Sequence, residues 1–258
     1  MTARKATESR DVEEALDALP SIEAFVERLR ARFRPFIALE PGGDVLDIGA
    51  AQGVTTVAWA KAGFNGYGVE PWQPAIEAGR ELAERVGVSI EIRQGPGEAI
   101  PFADESFDYV HAYSVMEHVD DPMAVFAEAY RVLRPGGGFF FSTTSRLGFR
   151  QNEISRFPLF PWYPTRVQLA IMDWAVRKRP SLVGHTTRPA IHWFEHRKTV
   201  EDLERIGFAR SVNAWELRAA SGELSGVRQL LVAAAAGNRA VRLLGNVVVG
   251  GVEYLAVK

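Results

Sequence analysis

Apolar residues along this chain change their spacing at regular intervals, and the spacing predicts the elements. From Ser21 to Phe33, residues Ile22, Phe25, Val26, Leu29 and Phe33 recur every three or four positions. That periodicity predicts an amphipathic helix starting after Pro20, with residues 1–10 frayed ahead of it. "PGG" at 41–43 punctuates, and short β-branched or aromatic runs then predict strands at 45–48, 66–70, 88–92 and 107–113. Helical patterns fall at 54–62, closed by Gly63, at 74–86 and at 122–133, and "PGGGFFFSTTS" turns into a fifth strand. Strands alternating with helices imply a mainly parallel sheet covered on both faces.

The alternation stops over residues 146–192, rich in proline and aromatics ("RFPLFPWYP"), where one helix is predicted at 165–177. It returns with a helix at 199–206 capped by Gly207, a strand at 208–217, a helix at 224–243 and a last strand, "NVVVGGVEYLAVK". The last two strands are expected to pair as an antiparallel hairpin at the sheet edge. The predicted fold is thus α/β, a Rossmann-like seven-stranded mainly parallel sheet with an antiparallel C-terminal hairpin and helices on both faces. It divides into an N-terminal helical cap (1–40), a ligand-binding core (41–145), a lid-like insertion covering the substrate (146–198) and a segment completing the core (199–258).

Composition narrows this picture. A 258-residue chain that is 47% apolar and 24% charged buries a substantial core. A net charge of −2, with no basic groove of interleaved aromatics, argues against a nucleic-acid partner. The absence of cysteine excludes disulfides and thiolate chemistry. The N-terminus has no signal-peptide core, so the expected address is cytoplasmic.

The chemistry starts at "DVLDIGAAQGVTT", residues 44–56, a strand that ends in an aspartate and opens into small residues. A dinucleotide turn would read G-x-G-x-x-G, with a diphosphate on the helix N-terminus. Here Asp47 beside the turn repels a diphosphate and attracts an ammonium group. Glu70 ends the second strand, where an acid accepts both hydroxyls of a ribose. The pair suits a ribose-bearing ligand with a cationic amino-acid tail, such as S-adenosylmethionine.

At these residues the chain resembles the class I S-adenosylmethionine-dependent methyltransferases, over about residues 43–145. "VLDIGAAQG" is similar to the family's glycine motif and "GYGVEP" to its acidic ribose motif. "GEAIPFADESFDYVHAYSVMEHV" and "EAYRVLRPGGGFFFST" resemble the stretches around the fourth and fifth strands. The resemblance implies methyl transfer to a small-molecule or lipid-like acceptor through an oxygen, nitrogen or carbon nucleophile, with S-adenosylmethionine as cofactor. Asp47, Gly49, Ala50 and Gly53 would hold its methionine end and Glu70 the ribose. Pro71 and Trp72 would lie on the adenine, Gly97 and Glu98 at its edge, and Tyr113 near the amine. Two positions depart from the family: Ala51 replaces a glycine, and Pro96 stands where an aspartate accepts from the adenine amino group. Glu98 or a backbone carbonyl must then substitute.

A base is needed for a hydroxyl or carbon acid and much less for an amine. His118, just past the fourth strand, is one candidate, its alternative role being a helix cap or structural hydrogen bond. His192 in "IHWF" is the second, chosen from His185, His192 and His196 in the insertion. His111, within the fourth strand, reads as a buried structural residue and Glu117 as an orienting or solvated acid. Trp162, Tyr163 and Trp193 read as core or as a lid. No paired carboxylates or thiols support a metal. Between Arg146 and Arg188 eight basic residues face two acids, an excess of +6. "WYPTRVQLAIMDWAVRKR" mixes aromatics, aliphatics and a basic end as an interfacial helix does, so peripheral membrane contact is a further expectation. A non-catalytic S-adenosylmethionine-binding subunit and, more remotely, a nicotinamide-dependent oxidoreductase are the competing readings.

Overall fold

A computed structural model describes residues 3–147, 154–184, 190–220, 226–238, 240–241 and 251–258. Seven strands form one sheet in the order β3-β2-β1-β4-β5-β7-β6. Their ranges are β1 Asp44–Ile48, β2 Asn65–Glu70, β3 Ile90–Gln94, β4 Phe107–Tyr113, β5 Leu133–Thr144, β6 Arg210–Asn213 and β7 Gly251–Val257. The first five run parallel, while β7 is antiparallel to both β5 and β6. Helices α1 Ala3–Phe33, α2 Val54–Lys61, α3 Gln73–Val86, α4 Pro122–Val132, α5 Thr165–Lys178, α6 His196–Ile206, α7 Ala214–Ala220 and α8 Gly226–Gly237 complete the described elements.

Side chains alternate across the central strands and feed two cores. On one face Val45, Tyr109 and Phe140 meet α1, α2 and α3. On the other, Leu46, Val110, Phe139 and Phe141 meet α4 and α6. The "GYG" of β2 is a packing requirement. A Cβ on Gly66 would lie 2.7 Å from the Thr56 carbonyl of α2, and one on Gly68 would lie 2.8 Å from Ala50 Cβ.

Helix α6 starts three residues earlier than expected, at His196, and three further differences each have a local reason. Helix α1 does not start after Pro20 but runs through it from Ala3. The buried stripe continues upstream through Val12, Ala15 and Leu19, and burial at about 1.5–3 kcal/mol per large side chain outweighs an internal proline's cost of about 3 kcal/mol. The strand expected over 208–217 stops at Asn213. There the Asn213 carboxamide oxygen accepts from Trp215 N and Glu216 N, and the Glu216 carboxylate accepts in return from Asn213 N at 2.9 Å. This reciprocal capping box starts α7. Strand β3 begins two residues late because Gly87, at φ +72°, caps α3 and lets Val88 N reach back to Ala83 O. The predicted 224–243 helix is met by α8, Gly226–Gly237, while its ends and the first residues of the last strand lie outside the described residues.

Candidate functional site

The turn after β1 is built around one carboxylate. Glu70, at the end of β2 and 9% exposed, accepts from Ala51 N through Oε2 and from Trp72 N through Oε1, both at 3.0 Å. Gly49 N and Ala50 N donate to Val69 O, and Gly53 N donates to Ala50 O, closing the turn. Gly49 (φ +72°) has no room for a side chain, since a Cβ would sit 2.6 Å from Val115. Ala51 also takes a left-handed conformation, φ +46°. Its methyl is exposed, so the cost of alanine there is backbone strain of roughly 1–2 kcal/mol rather than a clash.

Asp47 lies beneath this turn, 4% exposed. Its Oδ2 accepts from Thr56 Oγ1 at 3.1 Å, and its Oδ1 is 3.4 Å from His111 Nδ1, the residue beside it across the β1–β4 ladder. Burial pushes the Asp47 carboxyl up to about 8, opposed by the Thr56 hydrogen bond and reinforced by the nearby Glu70 charge. Burial likewise pushes His111 down to about 3. At neutral pH the two are an uncharged pair, and His111 is the buried structural residue its sequence context suggests.

At the turn after β2, Trp72 is 58% exposed, its backbone N–H bonded to the Glu70 carboxylate. Pro96 supplies only its carbonyl, which accepts from Ala99 N. Gly97 lies against Ile48, too close for a Cβ. Glu98 turns toward the start of α4, where its Oε1 accepts from Asp120 N at 2.8 Å and Asp121 N at 3.3 Å. Of its two carboxylate oxygens, Oε1 therefore takes both of these hydrogen bonds.

The chain leaving β4 forms the third side. Tyr113 edges onto Phe25 of α1 at 5.2 Å, and Ser114 follows at φ +57°, a second strained non-glycine at a strand exit. Val115 touches the Gly49 turn on one side. On the other side the insertion grips the same loop. Glu117 O accepts from Ile191 N and His192 N, and His192 Nε2 lies 2.9 Å from Val119 O. A carbonyl can only accept, so Nε2 carries the His192 proton. His192 therefore clasps the loop on both sides of His118, which is half-buried. Glu117 is not solvated: it is 1% exposed, accepts from Thr143 Oγ1 at 2.9 Å, and burial raises its carboxyl.

Within the insertion, Ile154, Phe160, Met172 and Ala175 form a small core of their own, with Tyr163 and Trp193 against it, while Trp162 is 57% exposed. A cavity of about 350 Å³ opens beside it, lined by Arg146, Tyr163, His192 and Trp193 among others. His196 instead stacks on Tyr254 at 5.7 Å, away from this cavity. His185, Arg150, Glu153 and Arg188 lie outside the described residues. Among the described residues no three His, Cys, Asp or Glu side chains are grouped to hold a metal. No described helix is long and apolar enough to cross a membrane.

Sheet order, inserted antiparallel β7 and an acid-clamped turn after β1 define a Rossmann-like fold of the methyltransferase kind. Residues 46–141 match the family described as "Methyltransferase domain". Over those residues the chain thus carries a domain of the class I S-adenosylmethionine-dependent methyltransferase kind. A ubiquinone biosynthesis O-methyltransferase of Hahella chejuensis is 34% identical over 122 residues, 47% of this chain and 51% of that protein. The match therefore spans about half the length of such relatives. Two solved structures share the fold at lower identity. A Thermotoga maritima SAM-dependent methyltransferase (19% identical, TM-score 0.51) covers 96% of each chain. A Haemonchus contortus phosphoethanolamine N-methyltransferase in complex with S-adenosyl-L-methionine (16% identical, TM-score 0.56) covers 90% of this chain and 52% of that one.

The buried pair predicts a pH dependence. Asp47 holds its proton more tightly folded than unfolded, so its contribution is complete below 3.8 and is lost as pH rises through about 8. His111 contributes oppositely, fully above 6.5 and lost as pH falls through about 3. The two oppose each other in acid, and Asp47 alone acts from 6.5 to 8. Unfolding free energy should fall across that window by on the order of 2 kcal/mol. Denaturant titrations of wild type and Asp47→Asn check this, the variant being expected to lose the slope.

Proposed function

We propose that the protein transfers a methyl group from S-adenosylmethionine to a hydroxyl oxygen of a small-molecule acceptor. One observation carries this reading. The loop 113–119 touches the Gly49 turn through Val115 and is held at Glu117 O and Val119 O by His192, which itself lines the insertion cavity. The turn and the cavity are thereby linked through a single loop. The residues fit the cofactor: Glu70 for the ribose, a side-chain-free Gly49 for close approach, and Trp72 for the adenine face. Asp47 acts from below, through the turn it supports. Resemblance to O-methyltransferases and a histidine in the shared loop support an oxygen acceptor over an amine.

The bound cofactor supplies a sulfonium methyl, so the carbon–oxygen bond forms as the sulfur–carbon bond breaks. The chain's part is alignment, exclusion of water, and removal of the hydroxyl proton by His118. His192 is a positioning residue, because its Nε2 proton is committed to Val119 O.

Helix α5 adds a further part to this reading. Val167, Ala170, Trp174 and Lys178 follow one another at helical spacing and all are exposed, beside Arg166, Arg177 and Arg179. An apolar stripe with a cationic margin is complementary to an anionic bilayer surface, which would bring a lipid-like acceptor to the cavity.

Calorimetry and a turnover assay test the site. Glu70→Ala should weaken S-adenosylmethionine binding at least about tenfold, through loss of charge-assisted hydrogen bonds. Unchanged affinity would remove the ribose assignment, and binding without any methylation would leave a binding subunit only. His118→Asn should lower kcat by about a hundredfold or more with cofactor affinity intact. His192→Ala, by loosening the loop, should change KM and kcat together. For the helix, vesicle flotation should show the protein rising with phosphatidylglycerol but not phosphatidylcholine liposomes, and Trp174→Glu should abolish it.

A further inference from the structure

The insertion cavity carries a charge that its surroundings leave unanswered. Arg131, Arg134, Arg177, Arg197 and Arg205 each meet a carboxylate. Arg146 meets none among the described residues, and its guanidinium instead lies over the Trp162 ring at 5.4 Å. Among the described residues no aspartate or glutamate lines the cavity. Its volume of about 350 Å³ is at the lower end of small-molecule sites, enough for a single-ring compound.

The walls are held before any ligand arrives. Gln168, 6% exposed, donates from Nε2 to both Phe160 O (3.1 Å) and Tyr163 O (2.9 Å), locking α5 to the aromatic turn. Trp193 sits edge-on to Phe160 at 6.2 Å, and His192 is fixed by Val119 O at 2.9 Å. Arg146 itself leaves the C-terminal end of β5, where its N–H donates to Phe194 O at 3.0 Å. Two aromatic side chains, a fixed rim and a guanidinium with no carboxylate partner among the described residues are the complement of an aromatic anion. Arginine presents paired donors that match a carboxylate or phosphate.

We infer that this cavity is the acceptor site and that it selects an aryl acceptor bearing a carboxylate or phosphate, held by Arg146 with the ring between Tyr163 and Trp193. This selectivity rests on the methyltransferase reading of the neighbouring turn.

Isothermal titration of the whole chain, alone and with S-adenosylhomocysteine, tests it with three probes: 3,4-dihydroxybenzoate, phenyl phosphate and uncharged catechol. At least one anionic probe should bind about tenfold or more tightly than catechol, as a charge-assisted pair implies. The two anions between them tell which group is read. Arg146→Ala should erase the preference while S-adenosylhomocysteine binds as before, and Arg146→Lys should restore part of it. Equal affinity for charged and neutral probes, a preference that survives Arg146→Ala, or no probe binding at millimolar concentration would overturn the inference. Loss of S-adenosylhomocysteine binding in the wild type would instead overturn the reading of the turn, and the probe titrations without it still decide the cavity.

Discussion

Glu70 ties together the turns that follow the first two strands. Its carboxylate takes the amide of Ala51 from the turn after β1 and the amide of Trp72 from the turn after β2. Two loops that diverge from neighbouring parallel strands are thereby tied through one side chain that is 9% exposed. A buried carboxylate with two amide donors is stabilised where an unpaired one would be costly. The strained φ of Ala51 persists because this contact, together with the Gly53 to Ala50 hydrogen bond, over-determines the turn.

The same turn rests on a polar layer that adds little to stability. Asp47 and His111 are both buried, and neither gains a full charge partner. Around them Tyr109 stacks on His111 at 5.6 Å and Trp59 lies tilted against Tyr109 at 5.1 Å, with the Tyr109 hydroxyl and Trp59 Nε1 lacking hydrogen-bond partners among the described residues. An apolar pair at 47 and 111 would pack as readily, so such a polar layer is the kind of local cost that accompanies a ligand site.

Much of this was legible before any coordinates. Short β-branched and aromatic runs marked β1, β2 and β4 closely, because strands buried on both faces admit few polar residues. Two of the family-like segments turn out to be joined physically. Glu128 accepts from Ile100 N at 2.7 Å, and Arg131 donates to the carbonyls of Ile100 and Phe102 at 2.9 Å, so "EAYRVLRP" holds "IPFAD" in place. What escaped detection was local or long-range. The Asn213–Glu216 capping box was present as N-x-x-E and would have ended the strand on time. The continuation of α1 through Pro20 was legible in Val12, Ala15 and Leu19, had the proline been weighed against the stripe. The direction of Glu98 toward α4 had no sequence signal, since it depends on a loop 22 residues away.

His192 shows why histidines in an irregular insertion resist assignment from composition. A base and a clasp need the same side chain in the same neighbourhood, and only the proton's location separates them. Here the ring nitrogen facing the loop meets a carbonyl, which consumes the proton and leaves Nδ1 as the basic atom. Together with the Glu117 carbonyl, which receives two amides from 191 and 192, this makes the insertion a structural extension of the loop that carries His118. Any motion of the insertion must therefore move the loop that carries His118 as well.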